Sequence, residues 1–204
     1  MSHETPRRKY ELKKRAEEMA ETHRRITEAA IALHGTIGPS RTTMSAVAER
    51  AGVERRTLYR HFPNEADLFA ACSSHYFTAH PWPALANWRA IRDPQQRLER
   101  ALDELYAYYE STEPMFSNVL RDAEFVDFAR DAVAPLLAYL EEAAGTLAAG
   151  RRVRGRRRQL LEGAVRHALA FSTWRSLSAN GIERSDAVKL MSQLVEAAGG
   201  DPAS

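Results

Sequence analysis

Apolar residues recur at spacings of three and four along almost the whole chain, which is the pattern of amphipathic helices. No segment shows the two-residue alternation that indicates a half-buried strand. The first clear stripe consists of Ile26, Ala29, Ala30 and Leu33. Gly35 and Gly38 follow the stripe and predict that this helix ends there. The highly charged segment 11–24 in front of the stripe either continues the helix or frays.

Two short helices are predicted next. Thr43 precedes the apolar stretch 44–51 as an N-cap, and Gly52 follows it as a C-terminal glycine. The second element contains TLYRHF at 57–62. It must end before Pro63, because the residue in front of a proline is pushed out of helical geometry.

This second element has an apolar side and a polar side. Leu58 and Phe62 are four residues apart, so they share one helix face. We expect them to pack on a small core formed by Ile26, Ala30, Leu33, Val47 and Ala48. Asn64 then caps a further helix, with Asp67 in its first turn, that ends before His80.

The remainder of the chain is predicted to be helical as well. Pro114 is expected to end a helix, and Pro135 to kink or begin another. Residues 150–158, written GRRVRGRRR, interrupt the apolar pattern and are expected to form an exposed loop. The predicted segments are 94–113, 116–120, 125–128, 135–147, 160–178 and 185–197.

Residues 43–62 thus form a helix, a glycine turn and a second helix, which is a helix-turn-helix unit. The polar side of its second helix suits the DNA major groove, which is about 12 Å wide. Arginine can donate two hydrogen bonds to guanine, whereas tyrosine, histidine and a helix N-terminus suit phosphate. The candidate DNA contacts are Thr42, Thr43, Arg55, Arg56, Thr57, Tyr59, Arg60 and His61.

The segment TTMSAVAERAGVERRTLYRHFPNEADLF, residues 42–69, resembles the DNA-binding domain of the TetR family of transcriptional regulators. The resemblance implies an all-α homodimer that binds double-stranded operator DNA and responds to a small molecule. It implies a charged N-terminal extension at 1–21, a helix-turn-helix domain of three helices at 22–80, and a helical domain for ligand binding and dimerisation at 81–204.

Two carboxylates depart from the family pattern. Glu54 stands where serine often caps the recognition helix, and Glu65 stands where a phosphate-contacting lysine is frequent. Arg56, where glycine is frequent, offers a compensating contact. Because carboxylates repel DNA phosphates, a second hypothesis stays open: the chain keeps the fold as a ligand-binding or protein-interaction module and has lost operator binding.

The larger domain holds the candidates for ligand binding and dimerisation. A small, mostly apolar ligand is expected between the helices at 94–113, 115–140 and 160–178, although each aromatic there equally suits an ordinary core. The pocket candidates are Tyr106, Tyr109, Phe116, Phe125, Phe128, His167, Phe171 and Trp174. The candidates for the dimer seam are Leu169, Trp174, Leu177, Leu190, Leu194 and Val195.

Composition and motifs limit which classes of protein function are expected. The net charge of +2 and the pI near 8.8 do not by themselves predict nucleic-acid binding, so the placement of charge matters. Cys72 is the single cysteine, and no apolar run approaches the roughly 18 residues of a membrane span, so we expect a cytoplasmic protein without a membrane partner. No metal-ligand spacing and no catalytic or nucleotide-binding motif is present, so no metal, cofactor or enzymatic activity is expected.

Basic residues near the N-terminus form either a solvated terminus or an arm that contacts DNA. They are Arg7, Arg8, Lys9, Lys13, Lys14 and Arg15.

Overall fold

The computed structural model describes residues 6–199, and the side chains of residues 10–199. Helices, turns and loops account for all of residues 6–199, as predicted. The helices are α1 (Pro6–Ile37), α2 (Met44–Ala51), α3 (Arg55–His61), α4 (Glu65–Ala79), α5 (Leu85–Arg89), α6 (Pro94–Asp122), α7 (Asp127–Ala148), α8 (Gly155–Leu169), α9 (Phe171–Ala179) and α10 (Arg184–Gly199). One turn of 3-10 helix, Pro39–Arg41, joins α1 to α2.

The chain folds into two compact units. The first unit contains the chain as far as Ala79 together with Pro114–Val133. The second unit contains His80–Glu113 together with the chain from Ala134 onward. Helices α6 and α7 therefore each contribute residues to both units.

A small apolar core holds α1, α2 and α3 together in the first unit. The predicted pair Leu58 and Phe62 is buried there, with 0% and 3% of their surfaces exposed. The core also contains Ile26, Ala29, Ala30, Met44, Val47, Ala48, Ala51, Leu68 and Cys72, with Leu33 packed against it. The predicted core is thus confirmed, and it leaves the opposite side of α3 in solvent.

Local signals set the limits of the short helices. The hydroxyl oxygen of Thr43 accepts a hydrogen bond from the Ala46 N–H at 3.1 Å, which caps α2. Gly52 ends α2 in the left-handed conformation, at φ 64°, where a side chain would be strained. Asn64 caps α4 by accepting from the Asp67 N–H at 2.8 Å. These three predictions are confirmed.

Both prolines that were expected to limit helices lie inside them. Helix α6 runs through Pro114 to Asp122, and α7 runs through Pro135. The separate pieces expected at 116–120 and 125–128 were therefore wrong. An internal proline costs about 3 kcal/mol, and burial of Tyr109 before Pro114 and of Phe116 after it offsets that cost.

The long helix expected at 160–178 is broken in two. Ala170 separates α8 from α9 with an extended ψ of 133°. A continuous helix would supply amide donors to the carbonyls of Ala168 and Leu169, and the break removes them. The Tyr106 hydroxyl donates to the Ala168 carbonyl at 2.8 Å, and the Tyr109 hydroxyl donates to the Leu169 carbonyl at 2.7 Å. These tertiary bonds stabilise a break that the apolar pattern did not reveal.

The remaining helices in the second unit pack around this break. Helices α8 and α10 pack extensively against each other. Trp88 of α5 is fully buried, and its indole N–H donates to Glu104 of α6 at 2.7 Å. Helix α8 begins at Gly155, so the arginines at 156–158 lie in its first turns rather than in the loop expected there.

Candidate nucleic-acid interface

The turn between α2 and α3 is held by a side chain from α1. The Arg25 guanidinium donates to the carbonyl of Ala51 and, at 3.3 Å, to that of Gly52. These carbonyls lie at the C-terminal end of α2, where helix acceptors lack amide partners and favour a positive charge. Arg25 therefore ties α1 to the helix-turn-helix unit and orients α3.

The exposed side of α3 presents three arginines. The Arg55 guanidinium lies 5.9 Å from the centre of the Tyr59 ring, a distance at which a cation is attracted to the aromatic face. Arg56 and Arg60 are exposed, and neither has an ion-pair or hydrogen-bond partner among residues 6–199. Unpaired arginines on one helix are free to donate to an incoming ligand.

The three threonines differ in what their hydroxyls already do. The Thr42 hydroxyl donates to the Gly38 carbonyl at 2.8 Å, so its hydrogen is committed. The Thr43 oxygen accepts from the backbone, which leaves its hydrogen available to a phosphate beside the N-terminus of α2. Thr57 is half-buried on α3.

His61 differs from the other candidates on α3. Its ring is half-buried, with its centre 6.1 Å from that of His23 on α1, and its Nε2 is buried without a hydrogen-bond partner among the described residues. Burial, and then the charges of Arg60 and His23, lower the pKa of His61. At neutral pH His61 is therefore an uncharged residue turned toward α1.

Charge is concentrated on this short stretch. Residues 39–62 contain five arginines and two glutamates, a net charge of +3 in a chain whose total is +2. Two exposed arginines of this stretch, Arg41 and Arg50, were missed by the sequence analysis although their proximity to Thr42 and Gly52 is a usable signal. Glu54 is exposed in front of α3 and makes no side-chain cap bond.

A carboxylate far along the chain supports the approach to α2. Asp122, at the end of α6, is 2% exposed and accepts from the Ser40 N–H at 2.8 Å and from Arg121 Nε at 2.7 Å. Gly38 lies beside it with φ 90°, and a Cβ there would come within 2.5 Å of Asp122 Oδ2. Asp122 was also missed, and no local sequence signal connects it with Ser40.

A known family matches this part of the chain. Residues 26–72 match the sequence profile described as bacterial regulatory proteins, tetR family. This range contains the C-terminal part of α1, all of α2 and α3, and the first half of α4. Residues 26–72 therefore form a TetR-family domain. The all-α fold with an N-terminal helix-turn-helix, expected from the resemblance, is confirmed.

Individual relatives agree with this placement. The chain is 37% identical over 76 residues to the HTH-type transcriptional regulator TtgR of Pseudomonas putida, a match that covers 37% of this chain and 36% of that protein. A TetR-like regulator from Rhodococcus sp. RHA1 superposes with a TM-score of 0.64 at 19% identity, over 88% of this chain and 97% of that one. FadR from Bacillus subtilis, solved in complex with stearoyl-CoA, superposes with a TM-score of 0.57 at 18% identity, over 86% of this chain and 97% of that one. At these identities the structural likeness shows a shared fold.

The pocket candidates divide between the two units. Four of them are buried together in the second unit: Tyr106, Tyr109, Phe171 and Trp174. The centre of the Tyr109 ring lies 5.3 Å from that of Phe171 and 5.8 Å from that of Trp174. His167 is exposed on α8, with its Nδ1 3.3 Å from the Thr173 hydroxyl. Phe116, Phe125 and Phe128 belong to the first unit. There Phe116 is buried, Phe125 is 78% exposed, and Phe128 packs on Phe69 at 5.1 Å.

The dimer candidates fall into two groups. Leu169, Trp174 and Val195 are buried within their own protomer. Leu190 and Leu194 lie four residues apart on α10 and are 45% and 42% exposed. Leu177 is half-buried on α9. The three buried residues pack inside the second unit, whereas Leu190 and Leu194 offer apolar surface to a partner.

The basic N-terminal segment is helical, since α1 begins at Pro6. Lys13 and Lys14 lie 3.7 and 3.9 Å from Glu17 and Glu18, and Arg15 is exposed. The side chains at 7–9 lie outside the described part of the chain.

Two kinds of feature are absent from residues 6–199. None of these helices is long and apolar enough to cross a membrane. No group of three or more His, Cys, Asp or Glu side chains in the same residues is arranged to hold a metal ion.

Proposed function

We propose that the protein is a DNA-binding transcriptional regulator that represses from a palindromic operator as a homodimer and is released by a small ligand. The observation that carries the proposal is α3 itself, anchored by Leu58 and presenting Arg55, Arg56 and Arg60 to solvent in a TetR-family domain. Residues 22–80 would bind DNA, and residues 81–204 would bind the ligand and dimerise. A protein that binds chromosomal operators would act in the cytoplasm.

The arginines at the start of α3 are assigned to bases. A recognition helix contacts base edges with its N-terminal residues, which here are Arg55 and Arg56. Tyr59, Arg60 and Thr43 are assigned to phosphates, which position the protein without specifying sequence. Thr42 and Thr57 are supporting contacts. His61 is the weakest of the eight candidates, because its ring is turned toward α1 and is uncharged.

Selection of bound sequences from random duplex DNA tests the proposal directly. An inverted repeat is expected, because the symmetry of a dimer is mirrored in its operator. Affinity for the selected site should fall steeply as salt is raised, since phosphate contacts release counterions. Failure to enrich any sequence would contradict operator recognition.

Two variants then separate base contacts from phosphate contacts. Arg56→Ala should cost about 1–3 kcal/mol on the selected site and much less on random duplex DNA, because a base contact is lost. Tyr59→Phe should weaken both duplexes similarly, because it removes only a hydroxyl donor. Arg56 is preferred to Arg55 for this test, since the Arg55 guanidinium contacts the Tyr59 ring. Equal losses on both duplexes for Arg56→Ala would reverse the assignment.

Glu54 favours a second candidate function. Its carboxylate is exposed in front of α3 and is not used as a helix cap, and Glu65 is exposed at the start of α4. Two carboxylates near the DNA-facing side support a TetR fold that binds a ligand or a protein without an operator. Weak duplex binding that strengthens in Glu54→Ser and Glu65→Lys would support this candidate.

Dimerisation is assigned to the apolar surface of α8 and α10. Leu190 and Leu194 on α10, together with Leu160 on α8, are between 42% and 52% exposed. A self-complementary pair of helices forms a four-helix bundle with its symmetry mate, which buries such residues. Truncation after residue 180 should give monomers or aggregates, and a folded dimer of the truncated chain would rule the assignment out.

The ligand is proposed to be small and mostly apolar. Tyr109, Phe171 and Trp174 form an aromatic cluster of the kind that lines apolar sites, and FadR from Bacillus subtilis was solved with stearoyl-CoA. The tyrosine hydroxyls are committed to backbone carbonyls, so the cluster offers mainly ring surfaces.

A titration of candidate ligands into the protein–operator complex tests this part. Fatty acids of graded length and small aromatic compounds should release DNA only if they bind the DNA-free form more tightly. Trp174→Ala should abolish release while leaving operator affinity unchanged. Release that persists in Trp174→Ala would exclude this cluster as the ligand site.

A further inference from the structure

The loop in front of α8 forms a cleft that neither operator binding nor the aromatic cluster uses. The cleft has a volume of about 760 Å³ and is lined by Arg151, Arg152, Val153, Arg154, Gly155 and Arg158. We call it the arginine cleft. Positive φ angles at Gly150 and Gly155, of 83° and 57°, turn the backbone on both sides of the loop and bring its side chains around one concavity.

Positive charge in the arginine cleft is poorly neutralised. Arg152 and Arg154 are exposed, and neither has a partner within residues 6–199. Arg158 donates to Glu162 at 2.8 Å. Glu162 is the one carboxylate in the described chain that is bonded to a lining arginine. No acidic residue lines the cleft.

Arg151 adds a half-buried guanidinium to the lining of the cleft. It donates to the Pro94 carbonyl at 3.2 Å and to the Gln95 side chain at 3.3 Å, which are both neutral acceptors. The Nε of Arg151 is buried and has no hydrogen-bond partner among the described residues. The same is true of the Nε of Arg97, a residue that is 92% buried. Burial is the main cause that lowers the pKa of Arg151, and the like charge of Arg97 lowers it further, against the attraction of Glu196 and Asp93. A bound anion would relieve this unfavourable positive charge.

The backbone contributes in the same place. Helix α8 has 15 residues and starts at Gly155, and its N-cap residue Arg154 makes no side-chain cap bond. The first amides of α8 therefore lack an internal acceptor, and the positive end of the helix dipole coincides with the arginines.

We propose that the arginine cleft binds a multiply charged phosphate group carried by a small molecule. Guanidinium groups form paired, charge-assisted hydrogen bonds with phosphate oxygens, and several converging arginines favour a diphosphate over a single carboxylate. Arg152 and Arg154 would contact the anion directly, Arg158 would exchange its bond with Glu162 for one with phosphate, and Arg151 would add positive charge. The site lies in the second unit and α3 in the first, so the cleft would provide an input that is additional to operator binding.

Calorimetric titration of the full-length protein with inorganic pyrophosphate tests the proposal. Pyrophosphate should bind saturably and more tightly than sulfate. The variant Arg152→Gln/Arg154→Gln should weaken it by about tenfold or more, because charge-assisted bonds are lost. Lys189→Gln removes an exposed positive charge on α10, outside the lining, and should change the affinity by less than about twofold. Circular dichroism and size-exclusion chromatography confirm that the variants keep their fold.

Two further titrations distinguish other sources of phosphate. Phosphatidylglycerol vesicles and duplex DNA should bind Arg152→Gln/Arg154→Gln and the wild type equally. A defect of that variant on vesicles or on DNA would assign the arginines to a membrane surface or to DNA, and would overturn the proposal. No saturable pyrophosphate binding, or an equal loss in Lys189→Gln, would overturn it as well.

Discussion

The bond between Asp122 and Ser40 makes a strong prediction about stability. Asp122→Ala removes a buried acceptor that holds the Ser40 N–H at 2.8 Å, and hydrogen bonds to charged groups contribute about 1.5–3 kcal/mol. The partner Arg121 is 42% exposed at its side chain, so its ion pair adds at most about 1 kcal/mol. We therefore expect Asp122→Ala to lower the free energy of unfolding by about 1.5–4 kcal/mol.

Urea denaturation at pH 7, followed by circular dichroism, measures this loss. Asp131→Ala is the matched control, because Asp131 is an exposed aspartate of the same unit without a partner in the described chain. Its free energy of unfolding should stay within about 0.5 kcal/mol of the wild type. A loss below about 0.5 kcal/mol for Asp122→Ala would refute the reasoning that this carboxylate stabilises the turn before α2.

The same bond has a pH signature with a defined sign. Burial alone would raise the pKa of Asp122, but the hydrogen bonds from Arg121 and Ser40 outweigh it and lower the pKa. A lowered pKa stabilises the fold above the ordinary value of 3.8, and this stabilisation disappears as the pH falls through the folded-state value. The difference between wild type and Asp122→Ala should therefore be constant near pH 7, above the range in which His34 titrates, and should shrink in strong acid.

Three other predictions concern single positions. Thr43→Ala removes the α2 cap and should lower the free energy of unfolding by about 1 kcal/mol in urea denaturation. Ser45→Ala is the control, because Ser45 is exposed and does not cap the helix, and its loss should be less than about 0.5 kcal/mol. Burial lowers the pKa of His34 to about 4, against the opposing charge of Asp122, so the unfolded chain binds one more proton between pH 4 and 6.5. Stability should fall by up to about 3 kcal/mol as the pH is lowered across that range, and His34→Gln should flatten this dependence; an unchanged profile would contradict it. If the proposed dimer forms through α10, Leu190→Lys should give a monomer in analytical ultracentrifugation, and a persisting dimer would move the interface off α10.

The helix-turn-helix could be predicted because its signals are local. Thr43 and Gly52 act on amides within the same or the next turn, and Leu58 and Phe62 select their face by a spacing of four. Such interactions operate in any chain with these residues in this order. The orientation of the His61 ring was not predictable in the same way, since it depends on His23 in another helix.

The sequence by itself therefore determined that the chain is helical, where α2 begins and ends, where α3 ends, and which side of α3 is exposed. Only the tertiary structure decided that α6 continues through Pro114, that α8 stops at Leu169, and that Asp122 reaches Ser40. The physical reason is the range of the forces involved. Caps and periodicity act over one or two turns, whereas burial on both sides of a proline, or a hydroxyl that satisfies a carbonyl about 60 residues away, exists only after distant helices have packed.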